Sequence, residues 1–79
     1  MSITEDNFRE IYEKYKNLVL QQVYDMTQDY YLAQDICQET FAQLYRCMDR
    51  VDERGAKRWV YVVSYNKTCD LLRRNKKYN

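Results

Sequence analysis

Asp35, Gln38 and Glu39 form a compact acidic and amide-bearing cluster near the middle of the sequence. Spacings of three and four positions place these side chains along one edge of a helix. Such an edge can receive arginine or lysine side chains of a partner protein through charge-assisted hydrogen bonds. From the spacing alone, a solvated helix face is the simpler interpretation.

A second cluster, in the last third of the sequence, interleaves cations with aromatic residues. Tyr61 and Tyr65 can stack on unpaired bases, and the amide of Asn66 can hydrogen-bond to a base edge. The cations that could neutralise phosphates are Arg54, Lys57, Arg58, Arg73, Arg74, Lys76 and Lys77. This composition is typical of single-stranded nucleic-acid binding. The alternative is that the tyrosines cover a helix in the full-length protein.

The charge distribution separates the two clusters. Residues 1–53 carry five cationic and eleven acidic residues, a net charge of −6, whereas residues 54–79 carry eight cations and one acid, a net charge of +7. The split predicts an acidic surface and a separate surface for a polyanion. A solvated helix end favoured by the helix dipole would account for only part of the positive excess.

Several function classes are disfavoured by what the sequence contains. It has no His, and Cys37, Cys47 and Cys69 are spaced in no zinc-binding pattern, so we expect reduced cysteines, no metal and no cofactor. No recognisable catalytic pair is present, and we expect a protein that is not an enzyme. No apolar run approaches the length needed to cross a bilayer, which predicts a cytoplasmic protein with no membrane insertion.

Hydrophobic periodicity predicts an all-α fold, a compact three-helix bundle with a short functional loop between its second and third helices. Ser2 with Glu5 fits a capping box for the first helix, although Thr4 could cap instead. Asp29 is expected to cap the second helix. The apolar stripe of the first helix is Phe8, Ile11, Tyr12, Tyr15, Leu18, Val19, Val23 and Met26, and that of the second is Ala33, Ile36, Cys37, Phe41, Leu44, Tyr45 and Met48.

The connection to the third helix closes on Gly55, which we expect to adopt a positive φ angle. The segment from Lys57 to about Arg74 contains strand-forming residues, but no other segment could pair with it, so a helix is predicted. Helical geometry assigns Trp59, Val60, Val63 and Leu71 to its core face and Arg58, Tyr61 and Tyr65 to roughly the opposite face.

Three blocks of this sequence resemble region 2 of the sigma-70 family, most closely that of extracytoplasmic-function sigma factors. The blocks are Asp35-Ile-Cys-Gln-Glu-Thr-Phe41, then Trp59-Val-Tyr-Val-Val-Ser-Tyr-Asn66, then Asp70-Leu-Leu-Arg-Arg74. Family members typically read D-L-V-Q-E-T-F, W-L-Y-R-I-A-x-N and D-x-L-R-R in this order. The opening Phe8, Tyr12 and Tyr15 also fit the family. The resemblance covers nearly the whole chain.

The resemblance implies a role for each cluster. The edge formed by Asp35, Gln38 and Glu39 would bind the β′ clamp helices of core RNA polymerase. The loop after that helix would capture a flipped base from the non-template strand of the −10 promoter element, and the third helix would contact and help to melt that element. The implied DNA-binding residues are Val51, Asp52, Glu53, Arg54, Gly55, Ala56, Lys57, Arg58, Tyr61, Tyr65, Asn66, Arg73, Arg74, Lys76 and Lys77.

This chain departs from the family pattern at Val62, where many relatives have Arg, and at Tyr65, where many have a small aliphatic residue. Because Val51 stands at the loop entrance in place of an aromatic residue, base stacking is expected to rely more on Tyr61 and Tyr65. The resemblance assigns residues 1–79 to domain 2 and implies that domain 4, which binds the −35 element, is absent from this chain. It also implies an anti-sigma factor as a class of partner, although no residue identifies one. The competing interpretations are a three-helix protein–protein adaptor and a simple duplex DNA-binding domain.

Overall fold

A computed structural model describes residues 1–77, with side chains described as far as residue 74. Three helices account for most of this part: α1 is Glu5–Thr27, α2 is Tyr30–Cys47 and α3 is Ala56–Lys77. Two single-turn 3-10 helices, Met48–Arg50 and Glu53–Gly55, form the connection between α2 and α3. The predicted three-helix fold is confirmed, and the segment with strand-forming residues lies in α3.

The start of α1 is capped by Thr4, the second of the two options that the sequence left open. The Thr4 hydroxyl accepts a hydrogen bond from the backbone N–H of Asn7 at 3.5 Å. In return, the side-chain oxygen of Asn7 accepts from the backbone N–H of Thr4 at 2.6 Å. This reciprocal pair satisfies two backbone donors that the first turn of a helix leaves unpaired.

The turn between α1 and α2 depends on one residue in the left-handed region. Gln28 has φ 57° and ψ 25°, and its backbone N–H donates to the carbonyl of Tyr24 at 2.7 Å. Asp29 then caps α2 by accepting from the N–H of Leu32 at 3.1 Å, as predicted. The expectation of a positive φ at Gly55 is wrong: this residue completes a single 3-10 turn, which needs only right-handed backbone angles.

The core lies where the three helices meet. Val19, Val23, Leu44 and Val60 are fully buried. The remaining buried apolar residues are Ile3, Ile11, Ala33, Ile36, Cys37, Phe41 and Ala56. Two edge-to-face aromatic pairs, Tyr12–Phe41 and Phe8–Tyr45, join α1 to α2 with ring centroids 5.1 and 5.2 Å apart. The predicted stripes of α1 and α2 therefore supply most of the core, although Leu18 and Tyr45 are exposed.

The core face of α3 is rotated relative to the prediction. Its fully buried residues, Ala56, Val60, Ser64 and Thr68, follow one another at four-residue intervals. Trp59, Val63 and Leu71 are only partly buried, and Tyr61 is half-buried beside α1 instead of facing away from it. The prediction differs from the structure because Ser64 and Thr68 occupy core positions, whereas the prediction considered only apolar side chains for the core.

Each buried hydroxyl has a partner in the core. The hydroxyls of Thr40 and Thr68 donate to the carbonyls of Ile36 and Ser64, one turn earlier, at 2.7 Å in both cases. Ser64 accepts from the Gln22 side chain at 3.0 Å. Since a buried polar group is costly only when it lacks a partner, these residues can face the core without a large penalty.

Replacing Leu44 by Ala should destabilise the fold severely. The side chain is fully buried, and a cavity of this size costs about 2–5 kcal/mol, which is a large part of the stability of so small a domain. Urea unfolding followed by circular dichroism measures the loss. Tyr31→Ala is the control, because Tyr31 is 82% exposed and its loss should change stability by less than about 0.5 kcal/mol. Equal stabilities of the two variants would contradict the assigned core.

Candidate functional site

The connection between α2 and α3 is held by the first three residues of the chain. The backbone N–H of Ile3 donates to the carbonyls of Met48 and Val51 at 3.2 and 3.0 Å. The N–H of Glu53 donates to the carbonyl of Met1 at 2.8 Å. Ile3 itself is 2% exposed and belongs to the core. We call this pairing of residues 1–3 with residues 48–53 the N-terminal clasp.

Side chains reinforce the clasp. Asp52 accepts hydrogen bonds from the backbone N–H of Arg54 at 2.8 Å and from its guanidinium at 3.4 Å, and it pairs with the Met1 amine at 3.3 Å. These donors, the Arg54 backbone first, lower the pKa of Asp52 from 3.8 to about 2. Glu53 accepts from the Asn7 side-chain amide at 2.7 Å. Both carboxylates predicted to bind DNA therefore also hold the loop.

The outward face of α3 is polar and aromatic. Arg58, Tyr65 and Asn66 are exposed, and so is Val62 at 45%. Within the described residues, the Asn66 side chain makes no hydrogen bond, so its amide is free to bind a ligand. Lys57 and Arg58 lie in the first turn of α3, next to the clasp. Of the predicted DNA-binding residues, Arg58, Tyr65 and Asn66 share this face. The assignment of Ala56 is wrong, because this residue is fully buried in the core, and Tyr61 is half-buried against α1.

The basic end of α3 is described only in part. Arg73 and Arg74 are exposed, and Arg73 forms an ion pair with Asp70 one turn earlier. Arg74 lines the groove between α2 and α3 together with Asp35, Glu39 and Asp70. The predicted phosphate contacts of Lys76 and Lys77 lie outside the described side chains.

The acidic cluster of α2 lies on the exposed side of that helix. Asp35, Gln38 and Glu39 are all exposed, as expected for a docking edge. Asp35 and Glu39 face the groove between α2 and α3, whereas Gln38 lies at the α1–α2 side. Lys67 and Arg74 of α3 line the same groove, although within the described part of the chain neither lies within ion-pair distance of these carboxylates.

Sequence reasoning missed the N-terminal clasp. Ile3 precedes the capping residue Thr4, and Phe8 is the fourth residue of α1, which are the two positions of a hydrophobic staple. This pattern was the available signal that residue 3 is fixed. The hydrogen bonds to residues 48–53 join segments far apart in the sequence, and no local pattern could have indicated them.

The described residues form no group of His, Cys, Asp and Glu suited to a metal ion. All three cysteines are free thiols, and burial raises the pKa of Cys37, whose thiol donates to the carbonyl of Lys16. Across residues 1–77, none of the helices combines the length and apolar character required to cross a bilayer.

Comparisons with known proteins agree with this geometry. The family model described as sigma-70 region 2 matches residues 11–78. The ECF RNA polymerase sigma factor SigM of Bacillus subtilis (strain 168) is 38% identical over 68 residues, which cover 86% of this chain and 42% of that protein. SigW of the same organism, also an ECF RNA polymerase sigma factor, is 34% identical over 73 residues, or 91% of this chain and 39% of that protein. The chain thus spans less than half of these curated relatives. No solved structure shows a significant match.

Replacing Asp52 by Ala should lower the melting temperature at neutral pH, because the ionised carboxylate bonds to Arg54 and the Met1 amine. A carboxyl whose folded pKa is depressed contributes stability above its unfolded pKa, here 3.8, and loses it as the pH falls toward about 2. The difference between wild type and variant should therefore shrink between pH 4 and pH 2. Thermal unfolding across this range measures it. Asp49→Ala, a change at a nearby exposed carboxylate, should show no such convergence.

Proposed function

We propose that this chain, which belongs to the sigma-70 family as a region 2 of the extracytoplasmic-function type, binds core RNA polymerase. We further propose that it recognises the −10 promoter element and helps to melt it. The observation that carries the proposal is the exposed face of α3, where Arg58, Tyr65 and Asn66 lie beside a loop fixed by the N-terminal clasp. The chain itself would catalyse no reaction, and it would act in the cytoplasm, where core polymerase is found.

The polymerase would bind the acidic edge of α2. Asp35 and Glu39 present carboxylates to cations of the β′ clamp helices, and Gln38 adds an amide that can donate and accept. The three residues occupy successive turns of a rigid helix whose other side is buried in the core. Because the helix backbone is already ordered, binding costs little additional conformational entropy, which supports a specific protein contact.

The DNA would follow the outward face of α3. Arg58 and Lys57 would contact phosphates, Tyr61 and Tyr65 would stack on unpaired bases of the non-template strand, and Asn66 would read one base edge. The exposure of Tyr65, at 50%, supports stacking because one face of its ring is accessible. The connection from Val51 to Gly55 would form the wall of a pocket for a flipped base, whereas Ala56 is buried in the core and would contact no base.

Asp52 and Glu53 would act mainly by holding the loop backbone, and not by contacting a base. Their carboxylates already bind Arg54, the Met1 amine and Asn7, so they keep the loop backbone in place. Arg54 is similarly engaged, since its guanidinium pairs with Asp52, and this contact raises the pKa of the guanidinium. Changes at Asp52 or Glu53 should therefore alter base preference through the shape of the loop. Asn66 is the better residue for testing base recognition, because its side chain has no hydrogen-bond partner within the described residues.

A gel-shift comparison distinguishes this function from its competitors. A sigma-type region 2 should bind the non-template single strand of its promoter more tightly in the presence of core polymerase than alone. A protein–protein adaptor would bind no DNA, and a simple duplex-binding domain would prefer duplex DNA without polymerase. Absence of both polymerase binding and single-strand binding would reject the proposal.

Gln38→Ala and Glu39→Ala should each weaken binding to core polymerase by about 1–3 kcal/mol, the cost of a lost interfacial hydrogen bond to a charged group. Both side chains are exposed, so the melting temperature should not fall. Glu10→Ala is the control, because Glu10 is an exposed acidic residue on α1, away from the cluster. Pull-down with core polymerase measures the effect. Equal binding by all three variants would remove the α2 edge from the interface.

Asn66→Ala should weaken binding at one base position of the −10 strand by about 1–3 kcal/mol and leave non-specific affinity unchanged. A panel of single-base variants of the best single-stranded site measures the preference. The Asn66 amide has no partner within the described residues, and Ala favours helices more than Asn does, so the melting temperature should not fall.

Asn17→Ala is the matched control, since Asn17 is an exposed asparagine within α1. It should leave the base preference unchanged. A uniform loss of affinity across the panel, together with a lower melting temperature for Asn66→Ala, would make Asn66 a structural residue and not a base-reading one.

A further inference from the structure

A groove with a volume of about 340 Å³ runs between α1 and α3. Its α1 wall includes Leu18, Gln21, Asp25 and Met26, and its α3 wall is formed by Tyr61 and Tyr65. The α1 residues recur at spacings of three and four, so they occupy one face of that helix. Leu18, a large apolar side chain, is 41% exposed in this groove, and none of the described residues covers it.

The floor of the groove is fixed by Gln22. Its side-chain amide donates to the Ser64 hydroxyl at 3.0 Å and to the carbonyl of Tyr61 at 3.2 Å. Ser64 is fully buried and also donates to the carbonyl of Tyr61. These bonds join α1 to the turn of α3 that carries the first tyrosine. Hydrogen bonds within the folded chain therefore hold the floor of the groove in place.

The polar rim of the groove consists mainly of acceptors. The Gln21 amide nitrogen donates to Oδ1 of Asp25 at 2.8 Å, which orients both side chains. Oδ2 of Asp25 and Oε1 of Gln21 then remain as acceptors with no donor among the described residues. These acceptors favour a ligand that carries N–H groups and a flat apolar surface for the tyrosines, and the second N–H of the Gln21 amide can donate to the same ligand.

We propose that the α1–α3 groove binds one unpaired nucleobase of the DNA strand and selects cytosine or adenine, whose exocyclic amine lies where thymine and guanine carry a carbonyl. Tyr61 and Tyr65 supply stacking surfaces, and Asp25 and Gln21 accept hydrogen bonds from the amine of cytosine or adenine. Thymine presents a carbonyl at the corresponding position, which would face the Asp25 carboxylate unfavourably. This inference rests on the proposed function and adds Gln21 and Asp25 as specificity-determining residues.

The position of the groove suits a strand that passes the loop. Tyr61 lies five residues after Ala56, a rise of about 7.5 Å along α3, or about two stacked nucleotides. Arg58 lies one turn before Tyr61 and can contact the intervening phosphate. The same groove could chemically accept an arginine of a protein, but the cations around the start of α3 would repel a basic peptide.

The test compares Asp25→Asn with Glu10→Gln, which removes the same charge from an exposed site elsewhere on α1. Each variant, in complex with core polymerase, is titrated against labelled single strands in which each position in turn carries cytosine, adenine or thymine. Wild type should prefer cytosine or adenine to thymine by about tenfold at one position, the scale of a hydrogen bond to a charged group. Asp25→Asn should lose that preference, because its amide can donate to thymine, whereas Glu10→Gln should keep it.

The other outcomes are distinguishable. If wild type binds no single strand, both the proposed function and this inference fail. If it binds, and Asp25→Asn and Glu10→Gln show the same base preferences as wild type, only the nucleobase groove is overturned. Asp25-dependent binding of an arginine-rich peptide, with no dependence on the base, would also overturn it and assign the groove to a protein partner.

Discussion

The N-terminal clasp is the constraint on which the geometry of the binding surface depends. The connection between α2 and α3 consists of two single 3-10 turns, which have few contacts of their own. Burial of Ile3 and the backbone bonds to Met48, Val51 and Glu53 tie this connection to the start of α1. As a result, the loop, the first turn of α1 and the first turn of α3 are held together as one unit.

The junction of α1 with α3 depends on small hydroxyl residues in place of large apolar ones. Ser64 and Thr68 return their hydroxyls to carbonyls of α3, and Gln22 reaches across from α1 to the same turn. Such side chains let the helices approach closely without leaving a buried donor unpaired. Because Val60 and the hydroxyls face inward, Arg58, Tyr65 and Asn66 are directed outward as a group.

The sequence predicted α1 and α2 well because both helices carry a continuous apolar stripe and a recognisable cap at Asp29. The face of α3 was predicted less well, since its core positions at Ser64 and Thr68 resemble surface residues until their partners are known. The left-handed residue was expected at Gly55 and occurs at Gln28, where the side-chain amide also bonds to the Tyr24 and Asp25 carbonyls. The exposure of Asp35, Gln38 and Glu39 followed from spacing alone, whereas the groove beside Tyr61 required the tertiary structure.

The charges near the loop favour a phosphate at the start of α3. Arg54 is bound to Asp52, so the cations that remain for a ligand there are Lys57 and Arg58. A helix N-terminus ordinarily disfavours cations by about 0.3–1 kcal/mol, because its unpaired N–H groups already carry partial positive charge. With no acidic residue in the first turn of α3, the helix end and the two side chains add positive charge beside the carboxylates of Asp52 and Glu53. A phosphate bound there would relieve the repulsion between the two cations and the helix end, which gives a physical reason for the proposed phosphate contacts of Lys57 and Arg58.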